Sequence, residues 1–445
     1  MAPRAEAGSR CAHRGAILHF RADPGVDEIP ASYEYFDDGL LVVADGRIER
    51  LGAATALLPT LAPQTPVIEH PHGLLLPGFI DTHIHYPQTD VIGAGGRQLL
   101  DWLQDYTFPA EARFADGEYA REVAGFFLDE LLRNGTTTAQ VLATVHKISV
   151  MRFFEAAAAR RLRMVAGKVL MDRNCPPALC ETAADGERET RELIATWHGR
   201  ERLHYAITVR FAPTSSAAQL ASAQRMAHDH PDVFIHSHLA ENRGEIAWVR
   251  ELFPGSRSYL DVYDRYDLLR PRATYAHCIH LDAEDRRRLA HSGAGAAFAP
   301  SSNLYLGSGL FDLNASAAAG MRYALATDVG GGSSFSMLRT MADAHKVAQL
   351  QGQSLPPLRA FYLATLAGAQ ILGLADRIGR LAPGHEADFI VLDLQATPLI
   401  ARRIAQCRTL SERLRVLMTL GDDRAIRQTY ILGEPALPRP AIHPA

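Results

Sequence analysis

Histidine recurs in this sequence at spacings that suit a metal. His83 and His85 end the run PGFIDTHIH (77–85). In an extended strand residues i and i+2 point to the same side, so both imidazoles can reach one ion. His236 and His238 repeat the pattern in VFIHSH (233–238), and Glu241 follows three residues after His238. A carboxylate at that distance is placed as a general acid/base beside a metal ligand. One ligand from this strand suffices, so His238 reads as the ligand and His236 as a buried, hydrogen-bonded core histidine. A third apolar run closes on His277, and His280 falls beyond the strand end. A fourth, ALATD (324–328), ends in Asp328 ahead of VGGGSS (329–334). Glycines there let the backbone approach a site closely or adopt positive φ; the plain alternative is a flexible loop.

A lone His-x-His carries little weight. Four such residues or pairs, each ending an apolar run, carry much more. Nitrogen and oxygen donors of this kind suit Zn²⁺ or Fe²⁺, zinc being the commoner. Three or four protein ligands leave a position for water, whose pKa the ion lowers towards roughly 7. The chemistry is hydrolysis. The glycine run lacks the G-x-G-x-x-G and G-K-[ST] patterns of nucleotide phosphate loops. Cys175 and Cys180, without a partnered H-x-E, do not form the other zinc deaminase signature.

The elements that must present these residues alternate. Strand-like runs fall at 73–85, 136–142, 164–171, 203–211, 233–238, 273–277, 294–299 and 322–328, with helical stretches such as 119–133, 150–161 and 217–230 between them. Eight βα alternations match a TIM-type barrel, although an open doubly wound sheet shares the same local grammar. The chain ends differ from this middle. GLLVVA (39–44), the turn dipeptide Asp45-Gly46, RIERL (47–51) and ADFIVLDL (387–394) predict a small β domain assembled from both termini. The proline-rich tail PALPRPAIHPA (435–445) reads as a frayed or extended arm.

Composition sets outer bounds. With 47% hydrophobic and 22% charged residues over 445, the chain is an ordinary globular one. A formal charge of −4 leaves no basic footprint for nucleic acid. No apolar run is long enough for a signal peptide core or a membrane span. Five unevenly spaced cysteines suit reduced thiols, so the expected location is the cytoplasm.

In this order the residues resemble the amidohydrolase superfamily. The longer stretches DTHIHYPQ (81–88), LDWLQDYTFPAE (100–111), NGTTTA (134–139), RFAPTSS (210–216), SHLAEN (237–242), PSSNLYLGSGLF (300–311), TDVGGGSSFSML (327–338) and LMTLGDDR (417–424) are similar to those of guanine deaminases. The resemblance runs from about residue 35 to 432. It implies an α/β fold, a (β/α)₈ barrel over 76–375 with a small β domain from 1–75 and 376–445. It implies one Zn²⁺ per chain, with Fe²⁺ as the alternative, held by His83, His85, His238 and Asp328. His277 would orient the metal-bound hydroxide, a fifth-ligand role being the variant. Glu241 would carry a proton to the ring nitrogen beside the attacked carbon, and Asp328 would take one from the water. Xanthine and ammonia would leave.

The same resemblance places the substrate against His85, Gln88, Arg210, Phe211, His238, Glu241 and Asp328. Arg210 offers a donor fork for a carbonyl oxygen of the base; the plain alternative is a surface salt bridge. Relatives that hold two metals bridge them with a lysine from strand four. YAITVRF (205–211) has none, and Lys168 one strand earlier reads as structural or solvent-linked. Val209 stands where the family usually has proline, which frees φ and restores an N–H before Arg210. Guanine and a second copy of the chain, as a homodimer, are the expected partners; nucleic acid and membrane are not. The alternatives are an amidohydrolase acting on another aminated or chlorinated ring, and a barrel that has lost its chemistry.

Overall fold

A computed structural model describes residues 10–95 and 98–437. Eight parallel strands form its middle: β1 Phe79–His85, β2 Thr136–Leu142, β3 Arg163–Gly167, β4 Leu203–Val209, β5 Phe234–Leu239, β6 Ala273–His277, β7 Gly295–Phe298 and β8 Arg322–Leu325. Strands adjacent in sequence are adjacent in the sheet throughout. An open doubly wound sheet reverses its order at a switch point. This one never reverses, and its two edges meet. The His85 amide donates to Val329 O and the Asp328 amide to His83 O, both at 3.0 Å. Thr82 Oγ1 adds a bond to Leu325 O at 3.0 Å. The barrel is closed at the C-terminal ends of its strands by backbone bonds through β1 and the segment after β8.

Alternation along each strand sorts side chains between two layers. Tyr205, Ile207 and Val209 of β4 pack outward with Leu193 and Leu220 of the helical ring. Ala206 turns the other way, with Ile80, Val165 and Phe234, onto Leu372 and Ile378 at the floor. The helices fall within a turn of their predicted limits, at Gly117–Arg133, Lys147–Ala159 and Ala217–Asp229. Asp116 and Ser216 cap the first and third of these, accepting from first-turn amides.

Both chain ends build a separate seven-stranded sheet. Val67–Pro77 is its centre, parallel to Arg10–Phe20 and antiparallel to Phe389–Asp393. The hairpin between Tyr33–Ala44 and Arg47–Ala53 turns on Asp45 and Gly46 at φ 52° and 74°, as a tight primed turn requires. One expectation needs correction. The strand predicted over 73–85 is two strands, Val67–Pro77 in the terminal sheet and Phe79–His85 in the barrel. Both halves are buried, so polarity alternation could not separate them. Gly78 is the joint, since a Cβ there would stand 2.1 Å from Thr137 Oγ1. The C-terminal part also contributes to the barrel's helical layer, because Leu410–Leu420 buries Leu414, Leu417 and Met418 in the main core. Most of the proline-rich tail lies outside the described residues.

Burial of neutral histidines makes stability depend on pH. Burial, with His70 beside it, pushes the His13 imidazole down to about 3. Below the unfolded-state value of about 6.5 the unfolded chain binds a proton that folded His13 refuses, so its stabilisation is complete above 6.5 and declines as pH falls towards 3. His13→Gln should therefore lose about 1.4 kcal/mol less than the parent between pH 7.5 and 5.5. Urea unfolding at the two pH values measures this, and equal losses in both proteins would refute it.

Candidate metal centre and cleft

The four expected ligands converge at the barrel mouth. His83 and His85 end β1, His238 lies near the end of β5, and Asp328 follows β8 by three residues. His83 Nε2 and His85 Nε2 are 3.2 Å apart, as are His85 Nε2 and His238 Nε2. Asp328 Oδ1 is 3.1 Å from His83 Nε2 and 3.4 Å from His85 Nε2. All four donor atoms lie within 4.8 Å of one another. Burial lowers the pKa of all three histidines and keeps them neutral, the form that ligates. His238 Nδ1 donates to Arg210 O at 2.7 Å, which leaves its Nε2 lone pair facing the cluster. Three imidazole nitrogens and one carboxylate oxygen fit a divalent metal ion.

Two further groups sit beside this cluster. Glu241 is 2% exposed; its Oε1 accepts from Ser308 Oγ at 2.8 Å and its Oε2 lies 3.3 Å from His277 Nε2. Burial raises the Glu241 pKa, His277 opposes and Asp328 adds to the rise. Asp328 moves the other way: burial alone would raise it, but His83 and His277 hold it below the usual carboxylate range. Two carboxylates driven apart in this manner are suited to different proton roles. His277 lies outside the four-donor group, with Nδ1 2.9 Å from Asn303 Oδ1 and Nε2 3.8 Å from Asp328 Oδ2.

The backbone around these residues is bent hard. Ala240, His277 and Asp328 all have positive φ, at 50°, 71° and 50°, a conformation that non-glycine residues hold only when their surroundings enforce it. Glu245 supplies part of that enforcement, accepting from the amides of Glu241 and Asn242 at 3.0 and 3.2 Å. The glycine run after Asp328 serves close approach rather than flexibility. A Cβ would stand 2.6 Å from Gln88 Cβ at position 330, 2.6 Å from Ser302 Oγ at 331 and 1.8 Å from Thr327 O at 332.

A cleft opens above the cluster. His85, Gln88, Arg210, Phe211, His238, Glu241, His277 and Asp328 line it, and Leu99, Trp102, Leu103 and Leu306 add apolar walls. His83 lies behind it. The expected site residues are thus gathered at one place. Arg210 pairs with neither solvent nor a surface acid; its Nη1 lies 2.9 and 2.7 Å from the two oxygens of Glu111. Glu111, fully buried, also accepts from Gln88 Nε2 at 3.1 Å. It therefore ties together the two side chains expected to read the substrate edge. Sequence reasoning missed Glu111, Glu245 and Ser308. Lys168, expected to be structural or solvent-linked, is fully buried and paired with Glu181. Val209 occupies its strand normally, bridged to Leu170.

No helix among the described residues is long and apolar enough to cross a membrane. Residues 74–436 match the model of the amidohydrolase family. Guanine deaminase of Escherichia coli K12 is 49% identical over 421 residues, covering 94% of this chain and 96% of that one. A probable guanine deaminase of Deinococcus radiodurans is 42% identical, covering 95% and 97%. The solved structure of the E. coli guanine deaminase superposes with a TM-score of 0.94 at 47% identity, covering 97% of this chain and all of that one. The geometry and the likeness agree across nearly the whole length: the chain belongs to the amidohydrolase family, in its guanine deaminase branch.

Proposed function

We propose that the protein hydrolyses guanine to xanthine and ammonia, with zinc as its resident ion. The observation that carries this is the buried donor set with Glu241 beside it, in a chain 49% identical to a guanine deaminase over 94% of its length. Zinc bound by His83, His85, His238 and Asp328 would supply a Lewis acid and lower the pKa of water. Glu241, whose carboxyl burial pushes up, donates a proton to the ring nitrogen next to the carbon under attack. Asp328, ionised, accepts the proton of the attacking water on Oδ2, the oxygen nearer His277. The proton on Asp328 then passes to the departing amine, and the hydroxyl proton of the adduct returns to Glu241 as the carbonyl forms, so that guanine and one water give xanthine and ammonia. Gln88 and Arg210 meet the polar edge of the purine, held ready by Glu111. Phe211, Trp102, Leu103 and Leu306 bound its flat faces and exclude water.

Purified protein, loaded with zinc and given guanine, should release xanthine and ammonia in equal amounts. Absence of xanthine together with turnover of another aminated or chlorinated heterocycle would overturn the substrate. A preparation made without chelator that holds far less than one metal per chain would instead favour a barrel without chemistry.

A further inference from the structure

We infer that His236 is a positioning residue for the metal centre: its Nε2 accepts a hydrogen bond from His83 Nδ1–H and so aims the His83 Nε2 lone pair at the donor cluster. This rests on His83 being a ligand. His236 stands in β5 two residues before His238 and is fully buried. Across the ladder it lies opposite Thr208 of β4 and Thr274 of β6. Its Nε2 is 2.8 Å from His83 Nδ1.

The consequence follows from counting protons. Neutral His83 carries one, on Nδ1 or on Nε2. Asp328 Oδ1, 3.1 Å from Nε2, is a strong acceptor that draws the proton to that side. A proton there would occupy the lone pair that a metal needs. An acceptor at Nδ1 must therefore compete, and His236 Nε2 fills that place among the described residues. To accept, His236 must carry its own proton on Nδ1. That atom is buried without a hydrogen-bond partner among the described residues. A buried N–H left unmet costs stability. His236 satisfies one nitrogen only, and its partner is a metal ligand.

The test uses the full-length protein with His236→Leu, His236→Ala and His236→Gln, each titrated with zinc against a competing chelator. Outer partners of ligating histidines are worth roughly 10–100-fold in metal affinity. His236→Leu and His236→Ala should lose that factor while the metal-free proteins keep the parent's circular dichroism. In His236→Gln the amide oxygen can accept from His83 Nδ1, so affinity should return to within a few-fold of the parent. Parent-like affinity in the Leu and Ala variants, or a Gln variant no better than they are, would overturn the inference. His83→Ala, run in parallel, separates the failures. Full metal retention there refutes the ligand set and the inference with it. Loss there, alongside undiminished affinity in the Leu and Ala variants, refutes the part of His236 alone.

Discussion

Glu241→Gln should keep about one equivalent of metal and lose between two and four orders of magnitude in kcat, the usual worth of a positioned general acid or base. The side chain lies in the cleft wall, outside the four-donor group. Glutamine preserves its volume and can still accept from Ser308 Oγ, so the cavity and the turn survive. What is lost is the transferable proton. His238→Ala should do the reverse: it removes one of four donors and lowers metal content before anything else. Metal analysis and initial rates on the two variants settle the division of labour. If Glu241→Gln came out metal-free, the residue would be holding the ion rather than moving protons.

The second large effect lies at the opposite end of the barrel and concerns stability. Arg163 opens β3, Arg202 immediately precedes β4, and both reach Glu386 just before the terminal strand Phe389–Asp393. Arg163 Nε is 2.8 Å from Glu386, and Arg202 Nη2 is 2.8 Å from its Oε2. Arg163 is 1% exposed. Burial alone would raise the Glu386 carboxyl, yet the two guanidinium groups hold it below the usual range. Glu386→Ala would leave Arg202 with Asp388 and the buried Arg163 with His204 but no carboxylate, without water to replace the lost partner. Breaking a buried pair from one side costs about 3–5 kcal/mol. Denaturant unfolding should report a loss of that order, with metal content and KM unchanged in the protein that remains folded. A loss below about 1 kcal/mol would mean that solvent reaches the arginines more easily than their burial indicates.

The two ends differ in how much the sequence revealed. His83, His85, His238 and Asp328 were legible because strand period and strand ending are local properties, and each ligand closes an apolar run. Glu111 was not. It sits in a five-residue helix, Phe108–Ala112, and pairs with Arg210, 99 positions away. A carboxylate on a short helix ordinarily faces solvent, so nothing local marks it as buried. His236 was legible as a core histidine and nothing more, because its partner comes from another strand. Gly78 shows the same limit at the level of fold. Two consecutive buried strands read as one, although the Pro77-Gly78 pair marked the joint. Arg163, Arg202 and Glu386 belong to both bodies at once, and no periodicity reports a contact between them.

The bonds that close β1 onto the segment after β8 are made by His83, His85, Asp328 and Val329, three of which belong to the candidate metal cluster. A barrel resembles a coopered cask, and here the last stave meets the first at the donor cluster. Seven other joints between staves carry their own backbone ladders. The eighth is short, and an ion held by the cluster would span it. An ion that binds only the closed ring strengthens closure through mass action, by RT ln(1 + [M]/Kd). Its removal should slacken the rim along that single seam and leave the remaining circumference taut. The same ion would then serve as reagent for hydrolysis and as the rivet that keeps the mouth of the barrel round.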